Sequence, residues 1–162
     1  MDTNQIDGFL SVLERREPEN WDWKQYPKKG YWRAKYSGFL PPCTFYIEVG
    51  ATFVYLHTTL NIHIWGECRL AVYRYLLRLN EEISGAKFGM AHNGQLTLMV
   101  ERPVLALIFS EFETAVEVLL TYYQLHYADI QTVAQSVTVA QQITMYEQRA
   151  RAEEATVKVQ VV

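Results

Sequence analysis

From Thr3 to Arg15 the apolar residues Ile6, Phe9, Leu10 and Leu13 recur at intervals of three and four with polar residues between them. That spacing predicts a short amphipathic helix, broken by Pro18. ENWDWKQYPKKG, residues 19–30, has no period and contains Pro27 and Gly30, which predicts a connecting loop. YWRAKYSG then alternates, so that Trp32, Ala34 and Tyr36 share one face of a strand and Arg33 and Lys35 share the other. After a turn at Pro41-Pro42, CTFYIEV and TFVYLHT read as two more strands, joined by Gly50-Ala51 as a type II′ loop with Gly50 at positive φ. This register pairs Ile47 with Val54, Phe45 with Leu56 and Tyr46 with Tyr55. One face then carries Phe45, Ile47, Val49, Val54 and Leu56, and the other Tyr46, Glu48, Phe53, Tyr55 and His57.

The helical period returns over Glu67–Ile83, with Leu70, Tyr73, Leu76, Leu77, Asn80 and Ile83 on one stripe and a cap at Ser84-Gly85. Gly85 to Pro103 is a hairpin around Asn93-Gly94. A two-residue loop there would mix apolar residues between faces. A three-residue loop, His92-Asn93-Gly94 with Gly94 left-handed, pairs Met90 with Leu96, Phe88 with Leu98 and Ala86 with Val100, and gathers the large apolar residues except Met99 on one side. From Glu111 a stripe of Phe112, Ala115, Val116, Leu119, Leu120, Tyr123, Tyr127, Ile130, Ala134 and Val137 predicts a long helix. Beyond it the chain turns polar and charged. The expected organisation is one domain over residues 1–138 and a helical extension with a mobile tail over 139–162. The class is α+β: helix, three strands, helix, two strands, long helix, with an antiparallel sheet of about five strands.

At 162 residues the chain is long enough for one self-sufficient core. A net charge of −3 offers no general attraction to nucleic acid or to an anionic membrane surface. No run approaches the roughly 20 apolar residues of a membrane span, and MDTNQIDGFL lacks the basic-then-apolar pattern of a secretory leader, so the expectation is a cytoplasmic protein. Cys43 and Cys68 have no zinc-ligand spacing and read as reduced structural thiols.

The element order and the stretch LLRLNEEISGAKFGMAHNGQLTLMVERP together resemble the YbjN-like family of bacterial sensory transduction regulators, relatives of the type III secretion chaperones. The residues that carry the resemblance are Leu76, Leu79, Asn80, Phe88, Gly94, Leu96, Leu98 and Pro103. It implies an α-β-β-β-α-β-β-α domain that dimerises and has no cofactor or catalytic site. Chaperones of this fold hold an extended client segment against their outer surfaces.

Candidate sites follow from the faces. Tyr46, Phe53 and Tyr55, with Trp65, form an unusually aromatic outer surface that either binds a protein partner or second copy, or is covered by the first or last helix. Trp21, Trp23 and Trp32 are secondary partner-binding candidates. Residues 21–36 also interleave Trp21, Trp23, Tyr26, Tyr31, Trp32 and Tyr36 with Lys24, Lys28, Lys29, Arg33 and Lys35, a pattern suited to stacking on single-stranded nucleic acid, against which the overall acidity and the absence of RNP-type motifs argue. His57 and His63, with Asn61 and Glu67, supply no third ligand for a metal. Neither cysteine has a glycine-rich oxyanion turn beside it, and no phosphate-binding glycine motif occurs. The expected function is a non-enzymatic protein-interaction module, chaperone-like or regulatory, without cofactor or metal. The alternative is a nucleic-acid or ligand-binding regulator using residues 21–36.

Overall fold

Strand alternation sorts the side chains into two faces, and the helices take only one of them. In the computed structural model, which describes residues 3–27 and 30–160, the elements in chain order are α1 (Thr3–Arg16), β1 (Trp21–Gln25), β2 (Tyr31–Tyr36), β3 (Cys43–Val49), β4 (Phe53–Leu60), α2 (Arg69–Glu82), β5 (Lys87–Met90), β6 (Leu96–Pro103), α3 (Phe109–Gln135) and α4 (Val137–Gln160). The strands form one antiparallel sheet in the order β1-β2-β3-β4-β6-β5. Its inner face presents Trp32, Ala34, Phe45, Ile47, Val54, Leu56, Leu98 and Val100 to Ile6 and Leu10 of α1 and to Phe112, Val116 and Leu119 of α3, and all of these are buried.

The α+β class and the element order stand, with one strand more than expected. β1 lies where a loop was predicted. Trp21 pairs with Tyr36 and Trp23 with Ala34, so the two tryptophans face the helices while Asp22 and Lys24 face solvent. Gly30, at φ 84°, supplies the left-handed step that returns the chain into β2.

The register of β3 on β4 also differs, by two residues: Phe45 pairs with Thr58, Tyr46 with His57 and Ile47 with Leu56. Gly50 is not left-handed. It extends the ladder by donating its N–H to Phe53 O at 2.9 Å. A Cβ there would stand 3.3 Å from the Tyr55 ring, so Gly50 serves a close approach rather than a II′ turn. A two-residue slip preserves the faces.

The β5–β6 hairpin takes the three-residue loop. Met90 pairs with Leu96 and Phe88 with Leu98, Ala91 N–H donates to Gln95 O at 2.9 Å, and Gly94 sits at φ 80°. The ladder ends at Lys87, one residue short of the Ala86–Val100 pair. A Cβ at Gly94 would touch nothing, so Gly94→Ala isolates the backbone cost of a left-handed alanine. We expect a loss of about 1–2 kcal/mol in urea unfolding, with an unchanged m-value.

In α2 the buried residues are Ala71, Val72, Leu76 and Leu79, whereas Leu70 and Leu77 are 55% and 66% exposed. The predicted stripe is therefore rotated, and this helix carries a second, solvent-facing apolar row. The long C-terminal helix is interrupted at Ser136, whose extended backbone (φ −128°, ψ 105°) ends α3 and whose Oγ accepts from Val139 N–H at 3.4 Å at the start of α4. α4 packs its first turns on the core through Val137, Ala140 and Ile143. Of the expected tail, residues 161–162 lie outside the described residues, as do Lys28 and Lys29 of the basic segment.

Candidate functional site

α1 and α3 pack on the inner face, α2 meets the sheet at β5, and α4 packs on α2 and α3, so no helix among the described residues is seen to pack on the outer face. Tyr46, Glu48, Phe53, Tyr55, His57, Thr97, Met99 and Glu101 alternate with buried neighbours along their strands, and none of them is fully buried. Among the described residues, α1 lies against α3 and β1 and α4 against α2 and α3, neither of them on this face.

Cross-strand pairing assembles the aromatic side chains of this face. Tyr46 sits opposite His57, and their rings stack with centroids 5.5 Å apart at 24°. Tyr26 extends this row at 6.4 Å from Tyr46, and Phe53 lies 6.2 Å from Tyr55. Tyr31 donates its hydroxyl to the Glu48 carboxylate. That hydrogen bond, reinforced by burial and by the charge of Glu48, pushes the phenol up to about 12. Rings with polar tips, flanked by Arg33 and Lys35, make a surface that offers both apolar area and hydrogen bonds to a polypeptide.

His57 is held below its ordinary value, by burial first and against the opposing pull of Glu48. Burial thus disfavours the charged ring in the folded state. Above 6.5, the ordinary value, folded and unfolded chains both hold a neutral His57. As pH falls through 6.5 the unfolded chain binds the proton first, so stability drops until the folded value is reached. Urea unfolding at about pH 7.5 and about pH 5.5 is expected to show this loss, and His57→Gln to remove its share of it.

The other sequence candidates are placed elsewhere. Trp32, expected as a contact residue, is fully buried on the inner face and donates its Nε1–H to the Asp7 carboxylate at 2.6 Å, so it belongs to the core. Trp21 and Trp23 are half-buried on that same side; Trp21 packs on Tyr36 and Phe45, and Trp23 Nε1–H donates to Glu14 at 2.9 Å. Trp65 is 44% exposed but lies at the end of α3, donating its N–H to Ala134 O at 3.0 Å. His63 lines a groove with Arg69 and His92, away from His57. Among the described residues no group of three or more His, Cys, Asp or Glu side chains is placed to hold a metal.

Both cysteines are free and buried, and burial pushes the Cys43 thiol up to about 12, far from a reactive thiolate. Strand alternation puts Cys43 on the inner face and His57 on the outer, so the two cannot form a nucleophile–base pair. The feature missed by sequence reasoning is the exposed row on α2, where Leu70 and Leu77 lie with Tyr73, whose hydroxyl reaches Met90 Sδ at 3.4 Å. Met90 itself is 50% exposed. The signal was present as an apolar stripe too broad for one buried face.

No protein-family profile matches the chain, and no curated protein sequence matches it. Solved structures do, and they define the class: this is the fold shared by type III secretion chaperone complexes and YbjN. The ExoU–SpcU complex of the type III secretion system of Pseudomonas aeruginosa contains a chain 16% identical, at a TM-score of 0.50, with 80% of this chain and 98% of that one covered. The ExsC–ExsE complex gives 14% identity and a TM-score of 0.51, covering 79% and 96%. YbjN from E. coli, described as a candidate transcription regulator, gives 10% and 0.52, covering 87% and 94%. No helix among the described residues is long and apolar enough to cross a membrane.

Proposed function

We propose that this protein is a non-enzymatic, cytoplasmic interaction module that works as a homodimer and holds a segment of a protein partner against its uncovered sheet face. Tyr46, Phe53 and Tyr55 are the principal contacts. The observation that carries this reading is one-sided packing: α1 and α3 cover the inner face, and the opposite side retains stacked, partly exposed rings. The fold is shared with two proteins seen in complex with a second protein, which supports the same reading. The exposed row Leu70, Leu77 and Met90 is the surface for the second copy, since solvent-facing leucines at helical spacing are what a helix-mediated contact buries. For the nucleic-acid alternative, Trp21, Trp23 and Trp32 all face inward, which leaves Tyr26 and Tyr31 as the rings of its segment on the outer face.

Light scattering on the wild type, on Tyr55→Glu and on Leu70→Glu with Leu77→Glu tests this, with circular dichroism confirming that each variant folds. The wild type is expected at twice 18.9 kDa, the Leu70/Leu77 variant as a monomer, and Tyr55→Glu as a dimer that no longer captures its partner. A monomeric wild type sinks the homodimer. If Tyr55→Glu dissociates the dimer, the sheet face is the self-association surface instead. Partner binding should survive Lys28→Ala with Lys29→Ala and fail with Tyr55→Ala; the reverse, with steep salt dependence, would mark a nucleic-acid binder.

A further inference from the structure

Between the end of α1, the first two strands and α3 lies a cavity of about 260 Å3. Three rings wall it: Trp21 and Tyr36 at 5.1 Å and 58°, and Tyr36 and Phe39 at 4.9 Å and 70°. Gly38 makes this wall possible, since a Cβ there would stand 2.6 Å from the Tyr36 hydroxyl oxygen. Three carboxylates border the rings: Glu17, Glu113 and Glu117.

The charge at the rim is only partly met from within the chain. Arg16 pairs with Glu113 and lies over the Phe109 ring at 5.2 Å. Glu17 accepts hydrogen bonds from two neutral donors, Asn20 Nδ2 and Tyr36 Oη, each at 3.0 Å. Glu117 is exposed, and no cation among the described residues pairs with it. Three carboxylates against one guanidinium leave two negative charges beside the aromatic wall. The Tyr36 phenol is displaced upward, by burial first and then by Glu17 and Glu19, as a negative field over the rings requires.

We infer that this cavity is a binding site for an arginine side chain of a partner polypeptide, with Trp21, Tyr36 and Phe39 receiving the guanidinium and Glu17 and Glu117 receiving its N–H groups. The volume is below the roughly 300 Å3 at which drug-sized ligands begin, which fits a single side chain. Ring faces attract a cation, and a planar fork of five donors can stack on a ring while reaching two carboxylates, which a lysine ammonium does less well. That the occupant belongs to a polypeptide rests on the function proposed above; the site itself is distinct from the outer sheet face.

The test is a titration of the 15N-labelled protein with blocked tripeptides Gly-Xaa-Gly in which Xaa is arginine, lysine or citrulline, the neutral isostere of arginine. The arginine peptide is expected to shift the Trp21 indole resonance saturably, with a dissociation constant on the order of millimolar. The citrulline peptide should bind at least about tenfold more weakly. Glu117→Gln, which changes one exposed carboxylate, and Gly38→Ala, which displaces the Tyr36 ring without changing charge, should each weaken binding while leaving the circular dichroism spectrum unchanged. Tyr55→Glu should bind the arginine peptide as the wild type does, so the outcome is independent of the sheet-face reading. No saturable shift, or equal binding of citrulline, overturns the site, and equal binding of lysine overturns the assignment to a guanidinium.

Discussion

Trp32→Ala is expected to destabilise the protein by roughly 3–5 kcal/mol, the range for emptying a well-packed Trp site in a core. Trp32 is the largest of the fully buried side chains, standing on β2 between Gln25 and Ile47 of the neighbouring strands. The substitution opens a cavity and also takes the indole N–H from the Asp7 carboxylate, which joins the sheet to α1 at 2.6 Å. Against a typical total stability of about 5–15 kcal/mol, such a loss brings the urea midpoint close to zero for a marginal domain. Trp32→Phe separates the two contributions: it keeps most of the volume, loses the hydrogen bond, and should cost about 1–2 kcal/mol. A midpoint unchanged in Trp32→Ala would return this residue to the surface role that sequence alone suggested.

Asn80→Ala is expected to cost about 2 kcal/mol or more, an effect out of proportion to the size of the side chain. Asn80, in the last turns of α2, donates from Nδ2 to Phe88 O at 2.9 Å and accepts from Phe88 N–H through Oδ1 at 2.7 Å. One amide thus satisfies both backbone groups of a residue on β5, as a neighbouring strand would. Its loss leaves a donor and an acceptor beside a buried ring with no protein partner. The check is urea unfolding together with amide hydrogen exchange: Phe88 N–H should lose protection in the variant far more than the N–H groups of β4. Asn80→Asp retains the acceptor but not the donor, and should fall between the two.

How much of this was legible in the chain depends on whether local pattern or distant packing decides each feature. The Gly94 hairpin could be read because only one loop length gathers Phe88, Leu96, Leu98 and Val100 on one face, and burial enforces that choice. β1 could not, because a five-residue edge strand with charged outward positions and Pro27 and Gly30 just beyond it looks like a loop until β2 offers it a partner. The β3–β4 register departs from the expected one because Gly50 is not the left-handed residue of a tight turn but a point of close approach, where a Cβ would stand 3.2 Å from Phe53 O and 3.3 Å from the Tyr55 ring.

Leu70 and Leu77 share the predicted apolar stripe of α2 with Leu76, yet only Leu76 is buried, because tertiary docking and not the period chooses which part of a broad stripe is covered. The aromatic face of Tyr46, Phe53 and Tyr55 follows from strand alternation alone. Its being uncovered does not, since that depends on where α1 and α3 dock. Trp21, Tyr36, Phe39 and Glu117 come from separate parts of the chain, and no spacing could have announced the cavity they share.

The bracket that Asn80 places on β5 also makes the two ends of the sheet unlike. By the alternation of antiparallel pairing, Phe88 and Met90 are the β5 residues whose backbone groups point away from β6. Asn80 occupies the first of these, and the chain leaves the strand just after the second. Among the described residues, β1 is the edge strand that no such side-chain bracket is seen to seal. A sheet open at both ends can template an unlimited ribbon of copies, whereas one with a single open end can pair once and then terminate. A side-chain amide at the end of a helix thereby limits polymerisation through strand pairing, separately from the stability it contributes to the fold.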